Sequence, residues 1–491
     1  MNEASELLSE PLNLALLVRK VSIVEPEKLL SCSEILESLV ESGTRILEER
    51  KGLTYSIIRR DRRILFRILL AGSRILAILE EAAGRVSKGR EAFRELQALV
   101  STPGSLCTMA VGLVAPDDLP GDLRVLAEEA LSEKAAAPEM WTDRVIYGFK
   151  VTRLLGEDEF TFSLEARDQH GNRFTLIVPR PEAFSAFTTL LLNALDAVSY
   201  QLMKPSMYGQ ISTEIAEPGV VEKLSRFTRY LLESRGVIAG LGNGGEYFEN
   251  PPLVIASFLE GESLPSKTDL ASILLVLHRM TGLAAHMNLA GFGFNTLRPV
   301  DIVITEDPGE PLGRKPVLAN PTSIQRLDSL YRGLYRGLET LDPLSLATRR
   351  LASTSNAFMV SMLALNTLLG RPVPEYLQLN KLVLKVIHNI KVDTSVEPGL
   401  EEYAENVERI LRDAVQSGRV EAGFTVIDRL ISQRLESHVA ALQNTVPPRI
   451  LEYLLRTVSL NPDRRYRSPL EAFTSLEKAL LEDGYTEILK Y

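Results

Sequence analysis

The side chains that most often carry out chemistry are few and scattered in this sequence. The histidines are His170, His278, His286, His388 and His438. None forms the closely spaced pair that a zinc site requires, so we expect structural histidines and no transition-metal site. The two cysteines, Cys32 and Cys107, are too few for a disulfide framework. We therefore expect them to be reduced, as in a cytoplasmic protein.

One group of charged side chains is concentrated. Arg60, Arg63, Arg67 and Arg74 recur at helical spacing within an apolar run. On a chain with a net charge of −9, this pattern predicts a cationic helix face that could bind an acidic protein, RNA or an anionic membrane surface. The alternative is a solvated helix face whose arginines pair with nearby glutamates. The negative net charge argues against general nucleic-acid binding.

Apolar spacing predicts the elements that must position these groups. Over residues 1–135, apolar residues recur every three or four positions, which predicts an all-α N-terminal domain. An alanine-proline linker follows, and from residue 144 the pattern alternates as in short β-strands. Residues 144–260 therefore read as a small β-rich lobe with one inserted helix, and 261–491 as a large helical lobe with a helical insertion near 376–439. This order predicts an α+β fold.

No segment has the sequence of a membrane span or a signal peptide. The best candidate, residues 64–79, is short and is interrupted by Arg67 and Arg74. The first ten residues are acidic rather than basic. We therefore predict no transmembrane segment and a cytoplasmic location.

The order of segments after residue 144 resembles a eukaryotic-type serine/threonine protein kinase. Residues 154–178 resemble the glycine-rich loop and the strand that carries the catalytic lysine. Residues 294–304, FNTLRPVDIVI, resemble the catalytic loop, and 317–323, VLANPTS, stand where the D-F-G segment is expected. Residues 446–473 resemble the last two helices of that fold. The resemblance implies a two-lobe kinase-like fold after the N-terminal domain.

The resemblance also implies that the phosphate-binding groups are missing. Gly156 is retained, but Asp158 stands where a further glycine is expected, within an acidic run. Ile177 falls at the position of the catalytic lysine, so the phosphates lose their main cation. A vestigial nucleotide cleft would then be lined by the following residues: Gly156, Ala166, Ile255 and Leu297.

The positions of the catalytic base and the metal ligands are changed as well. Thr296 replaces the catalytic aspartate, and its hydroxyl is too weak a base to accept the substrate proton. Asp301 stands at the metal-ligand asparagine, and Asn320 replaces the D-F-G aspartate. A residual magnesium site at Asp301 and Asn320 stays open, because both offer oxygen ligands. The alternative is a polar loop that is satisfied by its own hydrogen bonds.

Two positions that hold the family's frame together are only partly retained. Asn356 stands where the central helix carries an aspartate that binds the backbone of the catalytic loop, and an amide can keep part of that bonding. Arg465 matches a buried arginine whose usual glutamate partner is replaced by Leu344. We expect another carboxylate to pair with Arg465.

The resemblance therefore indicates a pseudokinase that acts by binding protein partners in signalling or assembly. No cofactor is expected, although weak ATP or magnesium binding stays open. One alternative is a divergent but active Ser/Thr kinase that uses relocated residues. Another is a helical scaffold whose resemblance to kinases is coincidental.

Overall fold

The structure is a computed structural model that describes most of the chain. The described ranges are 21–50, 52–60, 64–72, 74–82, 85–100, 105–115, 119, 141–180, 184–203, 217–238, 251–264, 268–327, 329–333, 336–390, 392 and 394–490. The chain divides into two compact units. The first contains Met1–Leu191 and Val237–Ile255, and the second contains Leu192–Gly236 and Ala256–Tyr491. The linker predicted after residue 135 lies outside the described residues.

The N-terminal part of the first unit is an antiparallel sheet with two helices. Its elements are β1 (Ser22–Ser31), α1 (Ile35–Arg50), β2 (Leu53–Arg60), β3 (Ile64–Ala71), β4 (Arg74–Ala82), β5 (Arg85–Lys88), α2 (Arg90–Val100) and β6 (Leu106–Val114). The strand order is β1-β6-β2-β3-β4-β5. The prediction of an all-α domain over residues 1–135 is therefore wrong.

The central strands of this sheet have apolar side chains on both faces. In β3, the side chains of Phe66 and Ile68 belong to one buried cluster. The side chain of Leu69 points to the opposite face of the sheet and belongs to another buried cluster. A strand that is buried on both faces loses the alternation of apolar and polar residues. Its continuous apolar run then fits a helical period as well as a strand, which explains the wrong prediction.

The predicted cationic helix face does not exist, because its residues belong to different strands. Arg60 ends β2, Arg67 lies within β3 and Arg74 begins β4. These strands pair in antiparallel register, so the arginines are not successive positions along one helix. Arg63 and the side chain of Arg74 lie outside the described residues.

A disulfide bond joins Cys32 to Cys107 in this part of the chain. Both cysteines are buried in the cluster between the sheet and its helices. Their approach follows from the sheet register, in which Leu30 of β1 lies opposite Cys107 of β6. The expectation of two reduced cysteines is therefore wrong.

A second sheet follows in the β-rich region after residue 141. Its strands are β7 (Val145–Ile146), β8 (Phe149–Glu157), β9 (Thr161–Arg167), β10 (Arg173–Pro179), β11 (Ser234–Ile238) and β12 (Leu253–Ser257). Their order is β11-β12-β10-β9-β8-β7. Phe162, Leu164 and Ala166 alternate along β9 and pack with Trp141 in one buried cluster. The alternative of a purely helical scaffold is excluded by these sheets.

Helices dominate the second unit, which makes the whole chain a mixed α+β protein. The helices, including α3 that begins in the first unit, are α3 (Phe184–Leu202), α4 (Pro218–Ser225), α5 (Leu270–Leu289), α6 (Pro343–Thr348), α7 (Ser353–Leu369), α8 (Pro374–Ile387), α9 (Glu401–Ser417), α10 (Val420–Leu442), α11 (Pro448–Thr457) and α12 (Pro469–Glu482). Helices α5 and α7 are almost entirely buried and form the centre of one large apolar core. Helices α8, α9 and α10 occupy the region of the predicted insertion.

Short strands connect the buried helices of the second unit. They are β13 (Glu262–Ser263), β14 (Phe292–Phe294), β15 (Ile302–Glu306), β16 (Arg314–Leu318) and β17 (Ile324–Arg326). Strand β14 pairs with β17, and β15 pairs with β13 and β16, all in antiparallel register. These two small sheets bracket the segment that resembles a catalytic loop.

Of the helices in the described part of the chain, α5 alone combines the length and the apolar composition of a membrane span. Within its most apolar window, 89% of the residues are buried inside the fold. A helix that is apolar on all sides and buried in this way is typical of a protein core.

Candidate functional site

The loop that follows β14 is held by a hydrogen bond from its backbone to the buried helix α7. The backbone N–H of Phe294 donates to Oδ1 of Asn356 at 2.7 Å, and Asn356 is fully buried. The amide of Asn356 lies so close to Gly293 that a Cβ there would approach it to 2.5 Å. The structure thus gives Asn356 the backbone-holding contact that its position in the sequence predicted.

Thr296 is buried, and its hydroxyl donates to a backbone carbonyl. Its Oγ1 lies 2.9 Å from the carbonyl oxygen of Arg336. The neighbouring carbonyl of Asn295 accepts from the Tyr331 hydroxyl at 2.7 Å. The chain after β17 therefore folds against this loop and forms hydrogen bonds with both Asn295 and Thr296.

Asp301 and Asn320 come together, as the resemblance implies, but they bind each other. The Asn320 Nδ2 donates to Oδ1 of Asp301 at 2.8 Å. The Oδ1 of Asn320 accepts from both the N–H and the hydroxyl of Thr322, at 3.0 and 2.7 Å. The oxygen of Asn320 that could bind a metal is thus already hydrogen-bonded within its own loop.

The carboxylate of Asp301 forms an ion pair with the guanidinium group of Arg298. Arg298 donates to Oδ2 through its backbone N–H at 2.9 Å and its Nε at 3.0 Å, and to Oδ1 through a terminal nitrogen at 2.8 Å. The Asp301 side chain is 2% exposed, and that of Arg298 is 15% exposed. This charge-assisted, bidentate geometry is among the stronger hydrogen-bonding arrangements in proteins.

The turn that resembles a glycine-rich loop is closed by an aspartate. One carboxylate oxygen of Asp158 accepts the backbone N–H groups of Phe160 and Thr161, both at 2.9 Å, and the Thr161 hydroxyl at 3.0 Å. Backbone N–H groups in such loops are the groups that bind phosphate. Here a side chain of the loop itself occupies two of them. The structure does not require a glycine at position 156, because an added Cβ would contact no other atom.

The residues of the predicted nucleotide cleft do not share one surface of the sheet. Gly156 pairs with Ser163 of β9, as does Ile177 at the lysine position, whereas Ala166 lies on the opposite face of β9 in the cluster around Trp141. Ile177 is buried and carries no charge. Ala166 is therefore a core residue, which corrects its assignment to the cleft.

The other two cleft residues lie in different units. Ile255 is half-buried and packs against the core of the small sheet. Leu297 is fully buried in the large core of the second unit. The side chain of Leu297 therefore belongs to a packed interior.

Arg465 pairs with a carboxylate close to the expected position. Its two terminal nitrogens donate to the two oxygens of Asp342, each at 2.9 Å, and both side chains are buried. Burial opposes ionisation of Asp342, but the Arg465 guanidinium and the Ser355 hydroxyl lower the pKa of this carboxyl below its usual value. Asp342 lies two residues before Leu344, so the expected second carboxylate is present.

Helix α3 contributes polar side chains that the sequence did not single out. Oδ2 of Asp196 accepts the backbone N–H of Arg326 at 3.1 Å and is also ion-paired with Arg332. The Nδ2 of Asn193 donates to the carbonyl of Arg332 at 2.9 Å. Asn193 and Asp196 are buried polar residues one helical turn apart in an apolar helix. That pattern is the signal that could have identified them.

Two histidines of α5 are buried and have structural partners. His286 Nδ1 lies 2.5 Å from the Tyr200 hydroxyl, and burial lowers the pKa of His286 to about 4. His278 lies 3.5 Å from Glu477, and burial lowers its pKa to about 4 as well. Both rings are thus neutral near pH 7.

The arginine in β3 also has partners. Arg67 Nε lies 3.2 Å from Glu81, and its terminal nitrogen lies 3.4 Å from the Tyr55 hydroxyl. The Arg67 side chain is 18% exposed. It therefore belongs to a partly buried network on the sheet.

Within the described ranges, no cluster of three or more His, Cys, Asp or Glu side chains could hold a metal ion. No protein-family model matches the chain, and no curated protein matches it. Among solved structures, the kinase domain of Mycobacterium tuberculosis PknI is similar at 12% sequence identity with a TM-score of 0.35. The match covers 69% of this chain and 98% of that domain, and a double-mutant form of the domain gives the same values. These values describe a resemblance to a kinase domain and assign no activity.

Proposed function

We propose that this chain is a pseudokinase-like protein that acts by binding other proteins and has lost phosphotransfer. The observation that carries the proposal is the state of Asp301. Its two carboxylate oxygens accept from the guanidinium of Arg298 and the amide of Asn320. A magnesium ion would have to displace a bidentate ion pair and would gain only a neutral amide as its second protein ligand.

The position of the catalytic base supports the same conclusion. Phosphotransfer to a hydroxyl needs a carboxylate that can receive the proton. Thr296 offers a hydroxyl that is buried and already donates to a backbone carbonyl.

The turn closed by Asp158 in the first unit is a further reason to expect only weak binding of phosphates. The N–H groups of Phe160 and Thr161 are occupied by Asp158, and Ile177 supplies no cation. A carboxylate ~5 Å from a phosphate costs roughly 1–3 kcal/mol at effective dielectric constants between ~80 and ~20. The phosphates of ATP would thus lose attraction and gain repulsion.

The contacts that hold the loop after β14 and the buried arginine are present, although the residues needed for phosphotransfer are substituted. Asn356 still holds the loop after β14, and Arg465 is still paired, although with Asp342. A frame that is retained without its catalytic groups favours a role in binding. Because Asp342 and Arg465 are both buried, breaking their pair would be costly.

The proposal is tested by calorimetry of the full chain with ATP, ADP and adenosine, with and without magnesium. We expect adenosine to bind no more weakly than ATP, and magnesium to have no effect. In a parallel assay with radiolabelled ATP, and with an active kinase as positive control, we expect no phosphate incorporation. Micromolar ATP binding that depends on magnesium and exceeds adenosine binding would contradict the proposal and support the active-kinase alternative.

A matched pair of variants tests the role assigned to Arg298. Arg298→Ala frees the carboxylate of Asp301 and should allow weak magnesium binding. The control, Arg314→Ala, removes an exposed arginine that lies 3.4 Å from Asp269 and should change nothing. If neither variant alters magnesium binding, the ion pair is not what prevents it.

A further inference from the structure

A groove of about 1020 Å³ lies among α8, α10, α11 and the connection from α11 to α12. Its lining includes apolar side chains of these helices and of the connection before α11: Tyr376, Leu435, Val446, Leu451 and Leu455. Polar and exposed residues, including Gln443 and Glu452, form its rim. An apolar floor with a polar rim is the usual composition of a binding site.

A buried carboxylate lies in the groove. The Asp428 side chain is 4% exposed. Its Oδ1 accepts the Ser459 hydroxyl at 2.9 Å and the Leu460 N–H at 2.6 Å. Its Oδ2 has, among the described residues, only Arg464 as a partner, at 3.7 Å. That distance is beyond a hydrogen bond.

The arginine near Asp428 is poorly held. The Arg464 side chain is 64% exposed, and its distance to Asp428 is too long for a firm contact. Oδ2 of Asp428 can therefore accept a charge-assisted hydrogen bond from a cation with better geometry than Arg464. Arg464 can move away into solvent at little cost, because exposed ion pairs contribute little stability.

The second arginine of the groove is committed elsewhere. The Arg456 guanidinium lies 4.2 Å from the centre of the Tyr466 ring. Its Nε donates to the carbonyl of Arg464 at 3.2 Å, and it lies 3.7 Å from Glu471. Arg456 is therefore not positioned to neutralise Asp428.

The rim adds further negative charge. Glu452 is 72% exposed, and its partner is the exposed Arg449 at 3.4 Å. Asp463 is exposed and also lines the groove. The charge that this groove would complement is positive.

We propose that the groove binds a segment of a partner protein in which one arginine or lysine is flanked by apolar side chains. The cation reaches Oδ2 of Asp428 in place of Arg464, and the flanking apolar side chains cover the floor around Leu451 and Leu455. This proposal rests on the protein-binding role proposed above and names the class of partner. Asp428 then gives specificity, because an uncharged segment would not supply a cation to its Oδ2.

The test uses the full chain and a set of acetylated, amidated helical peptides. Each peptide has one arginine, with leucines placed at different helical spacings around it, and an isosteric counterpart with citrulline in place of arginine. Fluorescence polarisation of labelled peptides measures binding. We expect the best arginine peptide to bind roughly tenfold or more tightly than its citrulline counterpart, because the citrulline side chain carries no charge.

Variants of the protein locate the site. Asp428→Asn should abolish the preference for arginine, and Arg464→Ala should strengthen binding of the arginine peptides, because it removes the internal competitor. Asp413→Asn, at an exposed position of α9, is the matched control and should have no effect. The citrulline comparison on the unaltered chain keeps the test valid even if Asp428→Asn misfolds.

Two results would overturn the proposal. One is equal binding of every arginine peptide and its citrulline counterpart. The other is a dimer of the unaltered chain that Asp428→Asn dissociates, because the occupant would then be a second copy. Neither result bears on the loss of phosphotransfer, which the nucleotide measurements test separately.

Discussion

Replacing Asp342 by asparagine should destabilise the second unit strongly. The two hydrogen bonds between Arg465 and Asp342 are each 2.9 Å long, and the side chains are 3% and 1% exposed. Asparagine can still cap α6 through the N–H of Leu344, which Asp342 now binds at 3.2 Å. The change therefore removes the charge and leaves a buried guanidinium without a counter-ion. Breaking such a pair from one side costs about 3–5 kcal/mol.

A double-mutant cycle separates the pair from its surroundings. Arg465→Met alone leaves the Asp342 carboxylate buried without its cation and should cost a similar amount. The double variant should recover much of the loss, because replacement of both partners removes both uncompensated charges. Arg467→Met, at an exposed neighbouring position, is the control and should change stability by less than about 0.5 kcal/mol.

The two units can be followed by different signals during chemical denaturation. Far-ultraviolet circular dichroism is dominated by helix, which is concentrated in the second unit. The single tryptophan, Trp141, is buried in the first unit and reports on that unit by its fluorescence. The measurements should be made at pH 7, because the pKa of Asp342 is lower in the folded than in the unfolded chain. The ion pair therefore contributes its full stability above the unfolded-state pKa, and this contribution is lost as the pH falls through the folded-state pKa. A loss below about 1 kcal/mol in Asp342→Asn would refute the reasoning.

Three further predictions concern buried groups elsewhere. The pKa of His286 is about 4, against 6.5 in the unfolded chain, so the contribution of this residue to stability should fall by ~3 kcal/mol as the pH drops from 6.5 to below 4. His278 has the same lowered pKa, so His286→Phe should remove about half of their combined pH dependence in titrated denaturation curves. Asn356→Leu should cost ~1–3 kcal/mol in the helical transition, because the N–H of Phe294 loses its acceptor, and an unchanged midpoint would contradict this. Reduction of the bond between Cys32 and Cys107, which are 75 residues apart, should lower the stability of the N-terminal sheet by about 4 kcal/mol in the chain-entropy estimate. Faster amide exchange in β2 and β6 after reduction would be the evidence.

The region after residue 144 was the more predictable part of the fold. Its strands alternate, so one face of β9 could be identified from the sequence, and its hairpins end at turn residues. The contact of Asn356 and the need for a second carboxylate at Arg465 followed from the resemblance to kinases. The face of Ala166 was assigned wrongly, because a shift of one residue in a strand exchanges its two faces.

The N-terminal part could not be predicted from periodicity. Its central strands are covered on both faces, so their apolar residues do not alternate. The spacing of Arg60, Arg67 and Arg74 suggested one helix, although the antiparallel register places them on three strands. The approach of Cys32 and Cys107 depends on that same register. The disulfide bond removes the part of the cytoplasmic prediction that rested on reduced cysteines, and the location stays a prediction.

The positions at which the sequence departs from the kinase pattern have one property in common. Each forms bonds within its own loop or with the chain nearby: Asp158 with the turn it closes, Asp301 with Arg298, and Thr296 with the carbonyl of Arg336. Introducing a single kinase-type residue at one of these positions would therefore break a local bond before it could create a site. An aspartate at position 296, for example, would place a carboxylate against the Arg336 carbonyl in a buried environment, which is unfavourable for both groups. Under the proposed loss of phosphotransfer, a gain of that activity would require these bonding partners to change together with the substituted positions.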